Sequence, residues 1–251
     1  MAMNNSRVRR IVVANAKGGS GKTTVATNLA SAYAAAGKCA ALFDFDPQGS
    51  STHWLKLRPS DLPEIHAIPA YQYGQCQVTR SFAQRVPAVV ERVVVDTPAG
   101  LKGMDLRDQI KGADVILIPV APSPIDMLAT ADFVSELLRA QRGSCFDARI
   151  ALVANRVKKN TRMREALRHF MADLDIPVLG QVRDAQSYVI GAETGMGVAE
   201  FEPNRARADR GIWRQLLAWI EAAPEIERSV GVGKVASVGE APLSMVAGSA
   251  Y

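Results

Sequence analysis

Residues 15–28, NAKGGSGKTTVATN, follow the short β-branched run RIVVAN at 10–15 and decide the fold. A strand, a glycine-rich turn and a helix in this order form a loop that binds nucleotide phosphates. The usual pattern G-x-x-x-x-G-K-[ST] would have glycine where this chain has Ala16. It also needs a single lysine, whereas this stretch has Lys17 and Lys22. The stretch therefore predicts a phosphate-binding loop with one lysine more than the loop requires.

The predicted roles within the loop follow from its chemistry. Consecutive backbone N–H groups and the positive N-terminal end of the following helix would converge on the phosphates. Lys22 would reach the β- and γ-phosphates, and the Thr23 hydroxyl would ligate Mg²⁺. We therefore predict a nucleotide cofactor and Mg²⁺. The predicted nucleotide-binding residues of the loop are Lys17, Gly18, Gly19, Ser20, Gly21, Lys22, Thr23 and Thr24.

The composition is that of an ordinary globular protein. The 251 residues, 48% of them apolar and 22% charged, suffice for one substantial domain or at most two small ones. The N-terminal residues lack the order of a signal peptide, and no apolar run approaches the roughly 18 residues of a membrane span. The three cysteines lie far apart without a C-x-x-C pair, which argues against zinc and iron–sulfur sites. We expect a cytoplasmic protein.

Strand-like runs alternate with helix-length segments along the chain, which predicts βαβ units in an α/β fold. Because the strand runs are continuously apolar, we expect a doubly wound, mostly parallel sheet with helices on both faces. One domain would span 1–223, and the Gly/Ser/Val-rich 224–251 would be a flexible tail. The predicted strands are 10–15, 39–46, 66–70, 92–97, 114–120, 149–155 and 177–180; the predicted helices are 22–37, 79–90, 126–141, 160–174 and 207–222.

Three carboxylates follow predicted strands. VVVDTPAG ends a strand in Asp96, at the position where an acid holds Mg²⁺ through its water shell. LFDFDPQG ends another strand with Asp44 and Asp46, which point to opposite faces of an extended segment and so differ in role. We assign Asp46 to orienting the attacking water and Asp44 to supporting Mg²⁺ from behind its direct ligands. For either aspartate alone, capping of a helix or turn is the alternative.

The motifs K-G-G-x-G-K-T-T, D-x-D-P-Q-G, D-T-P-A-G and P-V-x-P-S-P-x-D together resemble the deviant Walker A ATPases of the ParA/MinD superfamily of P-loop NTPases. The resemblance covers roughly residues 10–222. It implies that Lys17 is the signature lysine, which in this family reaches the phosphates of the partner subunit in an ATP-bound sandwich homodimer. Charge stabilisation is then complete only when two subunits meet. The catalytic residues so predicted are Lys17, Lys22 and Asp46.

The stretches DPQGSSTHW and PVAPSPIDM are most similar to the short ParA proteins without an N-terminal helix-turn-helix. Such ATPases hydrolyse ATP slowly, and they partition plasmids or chromosomes or position protein cargo on the nucleoid. A ParB-like or cargo-adaptor protein would stimulate hydrolysis. By the same resemblance, Asn155 in LVANRV, with Arg156 beside it, is the candidate for the adenine; a turn residue is the alternative for Asn155.

Basic residues are concentrated in 156–168 and 205–214, which together hold ten of the thirty lysines and arginines. A solvated helix face is one reading, and an anionic partner is the other. If 207–214 is helical, three arginines spaced i, i+3 and i+7 lie on one face and contact DNA phosphates without reading sequence. The predicted contacts to non-specific double-stranded DNA in these segments are Lys158, Lys159, Arg205, Arg207, Arg210 and Arg214. The resemblance to the ParA/MinD family adds Arg183, which lies in a region that carries a DNA-contacting arginine in some relatives.

Two alternative functions share the fold. A spatial regulator resembling MinD would bind a membrane, and DRGIWRQLLAWIEA at 209–222 has an apolar stripe that could lie on one. The other interpretation of that stripe is the core face of a last helix, and we favour it, so no membrane partner is expected. A metabolic P-loop enzyme is the second alternative. The nucleoid-associated ATPase remains the preferred hypothesis.

Overall fold

The computed structural model describes residues 8–75, 86–142, 147–202, 204 and 206–222. Within this part of the chain the strands are β1 (Arg9–Val13), β2 (Ala40–Asp44), β3 (Ile65–Ile68), β4 (Arg92–Asp96), β5 (Val115–Val120), β6 (Arg149–Val157) and β7 (Val178–Arg183). The α-helices are α1 (Lys22–Ala35), α2 (Ser50–Lys56), α3 (Gly103–Ile110), α4 (Pro124–Arg142), α5 (Arg162–Asp173), α6 (Gln186–Thr194) and α7 (Arg207–Glu221). A 3₁₀ helix spans Ala70–Gln75.

The described strands form one seven-stranded sheet in the order β3-β2-β4-β1-β5-β6-β7, and every pairing is parallel. The predicted α/β fold class is therefore confirmed, with a sheet that is wholly rather than mostly parallel. From β1 the chain builds the sheet first to one side and then to the other. The crevice at the carboxyl end of β1 is where open parallel sheets bind their ligands.

Alternate strand residues enter two apolar layers, one on each face of the sheet. In β1, Ile11 and Val13 pack on one face and Val12 on the other. The first face is covered by α1 and α7, and the second by α3, α4 and α5. Burial on both faces explains why the strands are continuous apolar runs without alternation.

The helices α2, α3 and α6 were not predicted. Each is at most nine residues long, and α3 buries only Leu106 and Ile110, so the helical period is too short to stand out. The predicted helix 79–90 lies outside the described residues as far as 85, and 86–90 contain a turn instead. The predicted tail 224–251 also lies outside the described residues.

The apolar stripe of the last helix is its core face, as expected. Trp213, Leu216 and Ile220 of α7 are buried in the layer that contains α1. None of the described helices is long and apolar enough to cross a bilayer. At its end, α7 is held by Glu221, which accepts hydrogen bonds from Arg92 at 2.8 and 2.7 Å.

Candidate functional site

The phosphate-binding loop is anchored to the sheet by Asn15. This buried side chain donates to the carbonyl of Pro119 at 2.8 Å and to the hydroxyl of Thr130 at 3.0 Å. Its oxygen accepts the backbone N–H of Lys17 at 3.0 Å. The amide thus joins the first turn of the loop to β5 and α4, so the loop is fixed at the carboxyl end of β1.

Asn155 supports the loop from its other side. The residue lies near the end of β6, is buried, and donates from Nδ2 to the carbonyl of Ser20 at 2.8 Å. It is a strand residue and not a turn residue. One N–H of its Nδ2 is bound to the loop, and its Oδ1 can still accept a hydrogen bond from a base. Arg156, the other adenine candidate, follows in the left-handed region (φ 54°) and is exposed.

The two lysines of the loop have different surroundings. Lys22 is buried at the start of α1 and donates from Nζ to the carbonyl of Lys17 at 3.2 Å. Burial lowers the pKa of Lys22, while the nearby carboxylates of Asp96 and Asp46 act in the opposite direction. The ammonium of Lys17 forms no hydrogen bond or ion pair with any residue that the structure describes. Lys22 is therefore held by its own loop, whereas the ammonium of Lys17 has no partner in that loop.

Asp96 has one hydrogen-bonded oxygen and one free oxygen. Its Oδ2 accepts from the hydroxyl of Ser51 at 2.5 Å. Its Oδ1 is buried and has no hydrogen-bond partner among the described residues. Burial raises the pKa of Asp96 to about 7, and the hydroxyls of Ser51 and Thr23 limit the rise.

A buried carboxylate oxygen without a donor fits a cation or a cation-bound water. Mg²⁺ typically takes one or two protein ligands and completes its octahedron with water and substrate phosphates. Thr23 lies close enough to Asp96 for its hydroxyl to limit the rise in the pKa of that carboxyl. The residues present therefore fit Mg²⁺, with Thr23 and Asp96 as its candidate partners.

Asp44 and Asp46 lie in different environments, as predicted. Asp44 is buried beside Asp96 in the β2–β4 pairing, and burial raises its pKa. Both Asp44 oxygens accept backbone N–H groups, from Thr52 at 2.8 Å and from Asp46 at 3.1 Å. Asp46 lies past the strand end, is partly exposed, and accepts the N–H of Gln48 at 3.0 Å. Asp44 therefore caps the first turn of α2, while Asp46 lies near enough to Lys22 for its charge to limit the fall in the pKa of that lysine.

Ser51 is the residue of this site that the sequence interpretation missed. It lies in α2, a helix that was not predicted, and its side chain is completely buried. The signal was the run of hydroxyl residues SST directly after DPQG. Only the tertiary structure shows that the middle hydroxyl, 45 residues before Asp96, contacts that carboxylate.

The fold brings the start of the first basic segment, just after β6, close to the N-terminal end of α7 in the second. Lys158, after β6, forms a 3.6 Å ion pair with Asp184, after β7. The neighbouring Arg183 binds Asp209 of α7 through two hydrogen bonds of 2.8 Å. The N-terminal end of α7 therefore lies beside the carboxyl ends of β6 and β7, at the nucleotide edge.

The side chains predicted to contact DNA differ in whether they are exposed or already bound to other residues. Arg183 is neutralised by the buried Asp209, and Arg210 points toward the carbonyl of Phe201 at 3.5 Å. Arg207 and Arg214 are exposed on α7, and Lys158 and Lys159 are exposed after β6. The predicted helix over these positions is present as α7, so Arg207, Arg210 and Arg214 are all helical. Arg205 lies outside the described residues.

Comparisons with known proteins agree with this geometry. Residues 11–198 match the family described as the CobQ/CobB/MinD/ParA nucleotide binding domain. The maintenance of carboxysome distribution protein A of Halothiobacillus neapolitanus is 31% identical over 184 residues, which cover 70% of this chain and 80% of that protein. The chromosome-partitioning ATPase Soj of Thermus thermophilus is 54% identical over 150 residues, 55% of this chain and 58% of Soj.

The solved structures share the fold at lower identity. An ATP complex of McdA from Cyanothece superposes with a TM-score of 0.65 at 17% identity. The superposition covers 84% of this chain and 97% of that one. It shows that the arrangement of strands and helices is the same.

Proposed function

Since this chain belongs to the family of CobQ/CobB/MinD/ParA nucleotide-binding domains, we propose that it is a ParA-like ATPase that moves or positions a cargo on the nucleoid. ATP would drive a sandwich homodimer, the dimer would bind DNA non-specifically, and slow hydrolysis would release it. The ammonium of Lys17, which has no partner among the described residues and lies next to a complete phosphate-binding loop, is the observation that supports this function most directly.

The residues of the pocket would each contact a different part of the bound nucleotide, its metal or the attacking water. The backbone N–H groups of the loop and the Lys22 ammonium would bind the phosphates. Thr23 and Asp96 would hold Mg²⁺, which neutralises charge on the phosphates when it is bound. Asp46, partly exposed two residues after β2, would orient the attacking water. Asn155 Oδ1 and Arg156 are the candidates for contact with the base.

Lys17 would complete the site from a second copy. A lysine that served its own loop would be drawn to carbonyls or carboxylates nearby, as Lys22 is. Stabilisation of phosphate charge by a residue supplied in trans links hydrolysis to assembly, as arginine fingers do in other NTPases. The ATP-bound dimer is thus the species that would hydrolyse ATP.

The basic edge would bind DNA. Exposed lysines after β6 and exposed arginines of α7 lie on one edge because the ion pairs at Asp184 and Asp209 hold their segments together. One copy offers few phosphate contacts, and two copies joined by ATP gain avidity. The nucleotide state would therefore set DNA affinity. A ParB-like or cargo-bound partner protein would stimulate hydrolysis.

Binding to duplex DNA tests this proposal. Affinity for a duplex of arbitrary sequence is measured with ADP and with ATP plus Mg²⁺ at rising salt. We expect much tighter, salt-sensitive binding with ATP, with log K falling by about 0.9 per phosphate contact for each unit of log salt. Equal affinity with the two nucleotides would overturn the proposal that the nucleotide state sets DNA affinity.

The membrane-bound alternative has less support. It would need an apolar helix face free to meet lipid, and the apolar face of α7 is buried against the sheet and α1. Sedimentation with anionic vesicles in the presence of ATP separates the two functions. Under the DNA proposal the protein stays in the supernatant.

A further inference from the structure

The first turn of α2 is bound to two strand-end carboxylates at once. The hydroxyl of Ser51 donates to Asp96 at the end of β4. The backbone N–H of Thr52 donates to Asp44 at the end of β2. Asp44 and Asp96 are partners in the β2–β4 pairing. A short helix that follows the Asp46 loop is thus fixed against the candidate metal ligand.

The hydrogen bond from Ser51 decides which oxygen of Asp96 is free. A carboxylate has two equivalent oxygens that exchange when the group rotates, unless a donor holds one of them. Ser51 holds Oδ2 at 2.5 Å and leaves Oδ1 buried without a partner among the described residues. Both side chains are completely buried, so bulk water is not in place to substitute for the hydroxyl.

Partners of a metal ligand commonly set its orientation, and their loss typically lowers metal affinity 10- to 100-fold. We propose that Ser51 is a positioning residue of the Mg²⁺ site, which holds Asp96 so that Oδ1 faces the metal or its bound water. This inference rests on the proposed ATPase function. Besides carrying Ser51, α2 would then connect the metal ligand Asp96 to the loop that contains Asp46.

The test is Mg²⁺-dependent nucleotide binding by the full chain. Affinity for a fluorescent ATP analogue is measured at equilibrium over a Mg²⁺ titration and in EDTA, without turnover. Ser51→Ala should raise the Mg²⁺ concentration at the midpoint about 10-fold and leave the affinity in EDTA unchanged. Ser51→Cys fills nearly the same space with a weak donor and should lie between Ser51→Ala and wild type.

Ser31→Ala is the matched control. Ser31 is also completely buried, but its hydroxyl donates to the carbonyl of Asn28 within α1. This variant should keep the wild-type midpoint. A general packing defect would shift both alanine variants alike, and that result would overturn the inference.

A double-mutant cycle shows whether Ser51 acts through Asp96. In an Asp96→Ala background, Ser51→Ala should shift the Mg²⁺ midpoint no further, because the carboxylate it positions is gone. Additive shifts, or a wild-type midpoint in both Ser51 variants, would overturn the inference and leave the ATPase proposal standing. A wild-type chain that binds no ATP at any Mg²⁺ concentration would overturn both.

Discussion

The side-chain amide of Asn155 occupies the place where a side chain at Gly21 would begin. An ideal Cβ on Gly21 would lie 1.8 Å from Asn155 Nδ2, and the backbone of Gly21 is left-handed with φ 92°. The glycine and the asparagine therefore form one unit, in which β6 supports the turn that leads into α1. Asn155 shapes the phosphate-binding loop whatever it contributes to the base.

Gly21→Ala should abolish ATP binding, because the methyl group forces Asn155 away and the left-handed backbone becomes strained. Binding of a fluorescent ATP analogue measures the loss. Gly112→Ala is the control for strain alone, since Gly112 has φ 72° with nothing within 4 Å of its Cβ position. It should lower the melting temperature modestly and keep ATP affinity. A Gly21→Ala protein with wild-type affinity would contradict the steric role.

Lys17→Ala should lose the ATP-dependent dimer and ATP hydrolysis while keeping nucleotide binding by the monomer. The reason is that its ammonium has no partner among the described residues of its own chain. By analogy with charges supplied in trans, turnover should fall by about 10³-fold or more. Light scattering with ATP and with ADP and a phosphate-release assay measure the two effects. Lys102→Ala, at an exposed lysine after β4, should change neither.

Asp46→Ala should bind ATP, dimerise and stay on DNA with little turnover. Removal of a group that orients or deprotonates water costs about 10²- to 10⁴-fold in rate. Asp46→Asn keeps an acceptor for the N–H of Gln48, so an equal loss in both variants assigns the effect to the charge. Steady-state ATPase rates and DNA dissociation kinetics are the measurements. Loss of ATP binding would show that the assigned role is wrong.

The double variant Arg207→Ala and Arg214→Ala should weaken ATP-dependent DNA binding for all sequences alike. The dependence of log K on log salt should become shallower by about one for each phosphate contact removed. Arg168→Ala is the matched control, because this exposed arginine is paired with Glu165 at 3.0 Å. Arg183 is a poor choice for such a substitution, since its removal leaves the buried carboxylate of Asp209 without its cationic partner. An unchanged salt dependence in the double variant would remove α7 from the DNA surface.

Glu221→Gln should destabilise the protein at neutral pH but not in acid. Burial alone would raise the pKa of Glu221, but hydrogen bonds from Arg92 and Tyr33 lower it below the usual 4.5. A depressed pKa contributes stability above pH 4.5 that is lost as the pH falls through the folded-state pKa. The melting temperatures of wild type and variant should therefore differ at pH 7 and converge once the pH falls below the folded-state pKa of Glu221. A difference that persists in acid would contradict the ionic contribution of Glu221.

Local pattern sufficed for much of the fold. Continuous apolar runs predicted the inner strands β1, β2, β4, β5 and β6 near their observed places, because strands covered on both faces need no polar positions. The edge strands β3 and β7 were also predicted, although they are only partly buried. The loop at 15–28 and the strand-end position of Asp96 were also predicted from local sequence alone. Helices of seven to nine residues were missed because so few turns display a periodic face.

What the sequence determined by itself was the chemistry: a phosphate-binding loop with a surplus lysine, carboxylates at strand ends, and arginines spaced for one helix face. The tertiary structure alone decided the pairings. It placed Ser51 on Asp96, Asn155 against Gly21, and Arg183 on Asp209. These residues are 26 to 134 positions apart, by the differences of their numbers. Such contacts depend on strand order and register, which pattern along a single chain does not encode.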